Sequence, residues 1–582
     1  MKSYRTLLGI FAAFMAFAAC DNPLEPEEIT RVNLDQIVSI PEYAEGLLSY
    51  GYAQIPGWSY KFDDPGTDDA VSNDPSNSYR KMATGGWSSN SNAEDAWTAC
   101  YRGIMNINRF LEVVNDVPWH LSNPAMHAAL INRMTGEAYG VRGVLKYYLI
   151  RNHSGIGTDG NLLGIPLYNT FIESLDDFKA PRESFTASVQ SAITDLEKAS
   201  QMLPDYFGDV AEVPSKFSGL DQTIYNLVYG SEKRQKLSGK VAEAYKARLE
   251  LLAASPAFNK SNDASLWEAA AKANGDLLKD IGGISGLDPK GHQFWLKAQV
   301  DNANLASGDK TDIPEMIWRR PLSNINTWEG NNFPPTLYGS GRINPTQNLV
   351  DAFPMKNGYP ITAAESGYDN TNPYANRDPR LDLAVIYNGS TWKSTKITTL
   401  NGTDDNSVGN SDYSTRTGYY LKKLLREDVN MTTGKTTTQY HIISVVRFTE
   451  IFLNYAEAAN EAWGPDGTGS YGFSARDVIA AIRKRAGITQ PDAYLATVTS
   501  KEKMRELIRN ERRLELCFEG FRFWDMRRWN LKLNEPAKGA VLTDGVYSSV
   551  DVEERAYSDY MQYGPIPYSE VLKFGFVQNQ GW

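Results

Sequence analysis

Cysteine is nearly absent from this 582-residue chain: there are three, and only Cys100 and Cys517 lie beyond residue 20. No disulfide framework can be built from so few, so an apolar core has to hold the fold. Both thiols sit in apolar helical patterns and are expected to be buried and free. Histidine is scarce as well. His120, His127, His153, His292 and His441 are scattered, with no H-E-x-x-H pair and no Cys/His cluster of zinc spacing, so nothing points to a catalytic metal. The sequence lacks a G-x-S-x-G elbow, a Walker loop and a G-x-G-x-x-G turn, which leaves triad hydrolases and nucleotide enzymes unsupported. Basic charge is in deficit, with 59 Lys and Arg against 70 Asp and Glu, and no basic stripe of the kind a phosphate backbone requires. Nucleic acid is therefore not an expected partner. The acidic runs around Asp63, Asp64, Asp68 and Asp69 and at Asp404 and Asp405 do not fit the calcium-loop pattern, and solvated loop carboxylates are the expectation for them. Glycoside hydrolysis needs only two carboxylates, with no spacing rule in sequence, so seventy acids make a pair available without pointing to one. No catalytic residue, metal or cofactor is assigned.

No apolar run is long enough to span a bilayer; the run from Leu7 to Phe17 is too short. It follows Lys2 and Arg5 and precedes Ala18, Ala19 and Cys20, which is the layout of a secretory signal. Small residues before a cysteine resemble a bacterial lipobox. Residues 1–19 are expected to be a lipoprotein signal peptide and Cys20 the lipidated mature N-terminus, although Phe17 departs from the usual aliphatic residue. Residues 20–30 are acidic and proline-bearing, a plausible extended tether. Lipid, not charge, would hold the protein to a membrane.

Residues 31–582 are expected to form one domain, helical-repeat-rich over about 31–260 and followed by a C-terminal part over about 261–582. Apolar residues recur at three and four over Ala96–Val114, Asn132–Arg151, Phe185–Met202, Lys240–Ala254, Leu266–Asp280, Thr449–Trp463, Ala475–Ala486 and Glu502–Phe518. Capping boxes are expected at Ser265 with Glu268 and at Thr499 with Glu502. Between the helices, Gln54–Glu94, Asp288–Pro345 and Tyr368–Thr438 are rich in Asn, Gly, Pro, Ser and aromatics, so they should fold onto the helices rather than stay disordered. Leu383–Tyr387 and Tyr440–Val446 alternate like short strands.

The densest stretch is Asn510–Asn530, NERRLELCFEGFRFWDMRRWN. On a helix Glu511, Glu515 and Glu519 share one face with arginines within a turn or two. Interleaved aromatics leave no wholly polar side, so these charges must be partly buried, and therefore paired. That pattern is expected to be an ion-pair lattice, not a catalytic cluster.

ERRLELCFEGFRFWDMRRW (Glu511–Trp529) resembles the C-terminal signature of the SusD/RagB family of nutrient-capturing surface lipoproteins. Segments in the family's order extend the resemblance: Ala96–Leu111, Gly136–Gly157, Ala180–Pro204, Gly239–Asn259, Ile343–Ile361, Arg447–Gly464 and Pro565–Trp582. It implies a mostly α SusD-like fold, with tetratricopeptide-type helix pairs as scaffold and long loop insertions with a few short strands. It also implies an outer-membrane, lipid-anchored, surface-exposed binding protein that passes a glycan to a SusC-type TonB-dependent transporter, without covalent chemistry. Oligopeptide capture, as in RagB-like members, is one alternative, and a surface glycosidase or a purely structural scaffold is another. Sugars stack on aromatic faces and bond through their hydroxyls. Trp87 and Trp328, in polar surroundings, are therefore the expected ligand-stacking residues, with Tyr79, Asp68, Asp69 and Asn92 as weaker hydrogen-bonding candidates; Trp58 and Trp295 are expected to be structural.

Overall fold

The structure is a computed structural model that describes residues 34–174, 176–303, 313–406 and 413–582. The expected signal peptide, Cys20 and the acidic tether lie outside the described residues. Among those described, no helix is long and apolar enough to cross a membrane.

The principal helices are α1 (Pro41–Ala53), α2 (Trp97–Val113), α3 (Pro124–His153), α4 (Phe185–Met202), α5 (Gly239–Ala254), α6 (Ala264–Asp280), α7 (Phe448–Trp463), α8 (Ala475–Ala486), α9 (Lys501–Leu516) and the short α10 (Arg522–Arg528). Each of α1 to α7 packs on the next, and α7 packs on both α8 and α9, so the helices form one stack. Its starts are written locally. Ser184, Ser238 and Ser500 accept the backbone N–H groups of Ala187, Val241 and Lys503, and Ser474 with Asp477 closes a capping box. Two expected boxes shift: Asp263, not Ser265, caps α6, and Ser500, not Thr499, caps α9. α3 starts at Pro124 rather than Asn132, because a proline at its first turn and the Asn123 cap launch it early.

Close approach of α3 to its neighbours depends on missing side chains. A Cβ on Gly140 would lie 2.2 Å from Leu237 Cδ2, and one on Gly143 would lie 2.7 Å from Leu196 Cγ. α7 is central: every residue from Phe448 to Glu461 is buried. One apolar core runs from Leu48 to Phe576, so helices from both ends of the chain share it. Cys100 and Cys517 are free and buried, as composition implied.

The stack is interrupted between α6 and α7 by residues 281–447. The strands used below are β1 (Ala70–Ser72), β2 (Met316–Arg319), β3 (Ser323–Ile325), β4 (Ile343–Pro345), β5 (Gln439–His441), β6 (Ser444–Arg447), β7 (Ala537–Thr543) and β8 (Val546–Glu553). The antiparallel pairs β2–β6 and β3–β5 form a neck at the base of the insertion. β1 pairs with β4, joining the insertion to the loop after α1, and β7 with β8 makes a hairpin. A second core, holding Trp295, Trp328, Trp392 and Tyr420, lies under this region. The expected strand Leu383–Tyr387 is half helix, Arg380–Ala384, followed by Val385–Ile386 paired with Tyr420–Leu421.

Candidate functional site

The acids of the 510–530 segment each find a cation. Glu511 meets Arg483 at 2.7 Å and Arg380 at 2.8 Å, and Glu515 meets Arg485 at 3.0 Å and Arg380 at 3.1 Å. Glu519 takes Lys423 and Arg447, and Asp525 takes Arg512 and Arg528. The lattice reaches outward too. Arg522 grips both oxygens of Asp68, at 2.9 and 2.8 Å, and Arg513 lies 2.6 Å from Asp69. It thereby fixes the loop after α1 against α9 and α10.

That arrangement reassigns the residues expected to bind ligand. Asp68 and Asp69 are spent on arginines, and Asp69 is fully buried. Tyr79 is buried and donates to Glu94 at 2.7 Å. Asn92 accepts from Trp87 Nε1 at 3.0 Å and from the Glu94 backbone at 2.9 Å. Trp87 is only 4% exposed, edge-on to Phe523 and Trp582, in a third small core with Tyr79 and Met561. Trp328, 5% exposed, packs in the second core against Tyr60, Phe62 and His441. The two tryptophans thus occupy different cores, and neither presents a ring face to solvent. Their polar sequence neighbours gave no sign of this, because the apolar partners are remote in sequence; the surplus aromatics Phe523 and Trp524 were the available signal. Trp295 is structural as expected, whereas Trp58 is half exposed, with the Arg320 guanidinium 4.2 Å above its ring.

Below this loop the acids divide. Lys61 at 3.0 Å and Arg151 at 3.6 Å overcome the effect of burial and hold Glu94 down at about 2. Burial, with the Glu94 charge beside it, pushes Asp63 up to about 7. A carboxyl raised in the folded state keeps a proton that the unfolded chain sheds from about pH 4, so its contribution to stability falls as pH rises from about 4 to about 7. Glu94 acts in the opposite sense, its contribution present above about pH 4 and lost as pH falls toward about 2. Urea unfolding midpoints are therefore expected to be higher at pH 5 than at pH 8, and Asp63→Asn to shrink that difference; an undiminished difference would refute the assignment.

The exposed aromatics stand elsewhere. Tyr338 is 57% exposed and Tyr413 51%. Tyr338 closes a short helical turn with a left-handed φ of 65°, an uncommon conformation for a tyrosine, retained here at a cost in strain. Three loops, those of Asn73, Ser340 and Ser414, meet next in sequence to the two tyrosines. The Asn73 amide donates to Ser340 O at 2.9 Å and to Ser414 O at 3.2 Å, and Arg342 reaches Asn73 Oδ1 at 3.3 Å while lying 5.5 Å from the centre of the Tyr413 ring. Arg342 N is also bound to Asn331 O, so the turn carrying Tyr338 hangs from the helix that buries Trp328. An open depression of about 470 Å³, lined by Arg80, Lys81 and Glu553, also reaches Pro75 and Arg416, which follow Asn73 and Tyr413 closely in the chain. Rigid loops thus offer two ring faces with hydrogen-bonding groups around them. Sequence reasoning passed over Tyr338 and Tyr413, though each stands alone in a run of Gly, Pro, Ser, Thr and Asn.

A helical stack that carries a loop-built, aromatic and polar surface is a scaffold for recognition. The comparisons place it in a family. Residues 314–582 match the model of the SusD family, and residues 59–220 match a model described as starch-binding associating with outer membrane. The chain belongs to the SusD/RagB family. It is 22% identical over 445 residues to SusD-like protein P38 of Formosa agariphila, covering 75% of this chain and 72% of that one. A SusD-like protein from Bacteroides fragilis superposes with a TM-score of 0.71 at 23% identity, over 94% of this chain and 98% of that one. A SusD-like carbohydrate binding protein from the same species gives 0.68 at 20% identity, over 92% and 98%. The mostly helical SusD-like fold is thereby shown.

Proposed function

We propose that this protein binds an oligosaccharide or polysaccharide nutrient at the cell surface and delivers it to a SusC-type TonB-dependent transporter. The observation that carries the reading is the pair of exposed tyrosine rings, Tyr338 and Tyr413, held on loops clamped by Asn73 and Arg342. Aromatic faces take the C–H surface of sugar rings, and the surrounding amides and guanidinium groups take hydroxyls. A strained tyrosine kept at the surface makes sense where the ring is needed for binding. The family relationship supports the same role, as does the carbohydrate-binding description of the Bacteroides fragilis structure. The ligand contacts thereby move from Trp87 and Trp328 to the two tyrosines.

Affinity electrophoresis of the purified protein in gels containing candidate polysaccharides tests this. The double variant Tyr338→Ala, Tyr413→Ala is expected to weaken binding by about 10- to 100-fold, taking about 1 kcal/mol or somewhat more for each stacked ring, with an unchanged melting temperature. Unchanged affinity would sink the reading. Retention by peptides that depends on their charge, with no glycan bound, would favour oligopeptide capture instead.

A further inference from the structure

Arg527 makes no ion pair among the described residues. Its side chain is buried between the rings of Phe523, 3.5 Å from the guanidinium carbon, and Trp87, at 4.8 Å. Nη1 donates to Phe523 O at 2.8 Å, and Nε has no partner. Among the described residues no carboxylate lies within ion-pair distance of it, unlike Arg512, Arg513, Arg522 and Arg528 around it. Burial, offset only in part by Tyr557 and the more distant charges of Glu94 and Asp63, pushes it down to about 9. A buried cation is ordinarily paired.

The group faces a crevice of about 50 Å³, lined also by Arg555, Lys532 and Ala556 and by two carboxylates, Asp68, which Arg513 and Arg522 pair, and Glu535, which Lys538 pairs. That is room for roughly three or four waters, and so for the oxygens of one oxyanion. Arg555 and Ala556 are also the wall shared with the open depression at Arg416. On the depression side, Glu553 pairs with Arg80, Arg416 and Arg555, and Glu554 lines the same depression. Arg555 Nε has no partner either. The two linings together hold six cations, Arg80, Lys81, Arg416, Arg527, Lys532 and Arg555, against four carboxylates, Asp68, Glu535, Glu553 and Glu554, in a chain whose net charge is −11.

We propose that the crevice at Arg527 is an oxyanion site that receives the carboxylate or sulfate group of an acidic saccharide. The planar guanidinium, already oriented by two rings and one carbonyl, loses little freedom on binding and suits a bidentate oxyanion. The entry of an anion supplies the missing counter-charge. The proposed glycan role enters only as the identity of the molecule bearing the anion.

The test uses the purified protein and monosaccharide probes at matched ionic strength, with sodium chloride as reference. Glucuronate or a glucose sulfate ester is expected to raise the melting temperature above that in chloride, while glucose does not, and the more effective anion identifies the source of the charge. Arg527→Met is expected to weaken binding of the active anion at least about tenfold, the worth of a charge-assisted hydrogen bond. Without anion it should melt no lower than the parent, because relief of a buried, unpaired charge offsets the lost bond to Phe523 O and the lost ring contacts. The proposal is overturned if no anion outperforms chloride, if the variant responds as the parent does, or if the variant melts lower without anion, which would make Arg527 a framework cation. The tyrosine pair is intact in these proteins, so failure here leaves the glycan reading standing.

Discussion

Glu515→Ala is expected to destabilise the protein by about 3–5 kcal/mol, the cost of leaving buried charges without their partner. The Glu515 side chain is 1% exposed, and the attraction of Arg485 and Arg380 outweighs the effect of burial, holding the carboxyl well below the usual range. Removing it leaves the Arg485 Nη2 group without a carboxylate, in a site closed to water. Arg380 still has Asp378 and Glu511, so most of the loss should fall on the α8–α9 contact. Because the carboxyl is lowered in the folded state, its contribution is present above about pH 4 and fades as pH falls below that; the variant's deficit should therefore narrow in acid. Urea titration at pH 7 and pH 3 measures both. A variant of parental stability that had lost only ligand binding would overturn the framework role.

Trp87→Ala should cost a comparable amount, about 3–5 kcal/mol, while leaving affinity for a neutral glycan unchanged in whatever fraction remains folded. The ring fills the centre of the third core, with Trp582 4.7 Å away on one side and the Arg527 guanidinium 4.8 Å away on another, and its indole N–H is the donor to Asn92. An alanine there opens a cavity lined by rings that cannot collapse together. Calorimetry with isothermal titration separates the two effects. Lost affinity at full stability would return Trp87 to the ligand face.

The helices were legible because their signals are local. Phe185–Met202 and Ala475–Ala486 have the bounds that the apolar period marked, and the charge pattern of 510–530 foretold an ion lattice. The lattice's reach was not legible. Nothing near Asp68 in sequence says that Arg522 will take both its oxygens, since that contact spans 454 positions. Burial of the loop tryptophans failed for the same reason: local polarity measures sequence neighbours, whereas Trp87 and Trp328 are buried by residues supplied from elsewhere. Tyr338 shows the converse. Its exposure follows from a tight, strained turn whose conformation no composition rule records.

The neck formed by β2–β6 and β3–β5 has a consequence for descent with modification. Its strands bring the two ends of residues 326–438 side by side, and Tyr338 and Tyr413 both lie within that span. Closing a longer or shorter loop on a fixed neck changes the cost only slowly with length. Substitutions and insertions in the loops at Tyr338 and Tyr413 can therefore alter what the surface recognises while α6 still meets α7, provided that Arg380 and Lys423, in the same span, keep their places in the lattice. Selection can act on ligand preference in those loops while holding Arg380 and Lys423, encoded in the same stretch of gene, for folding.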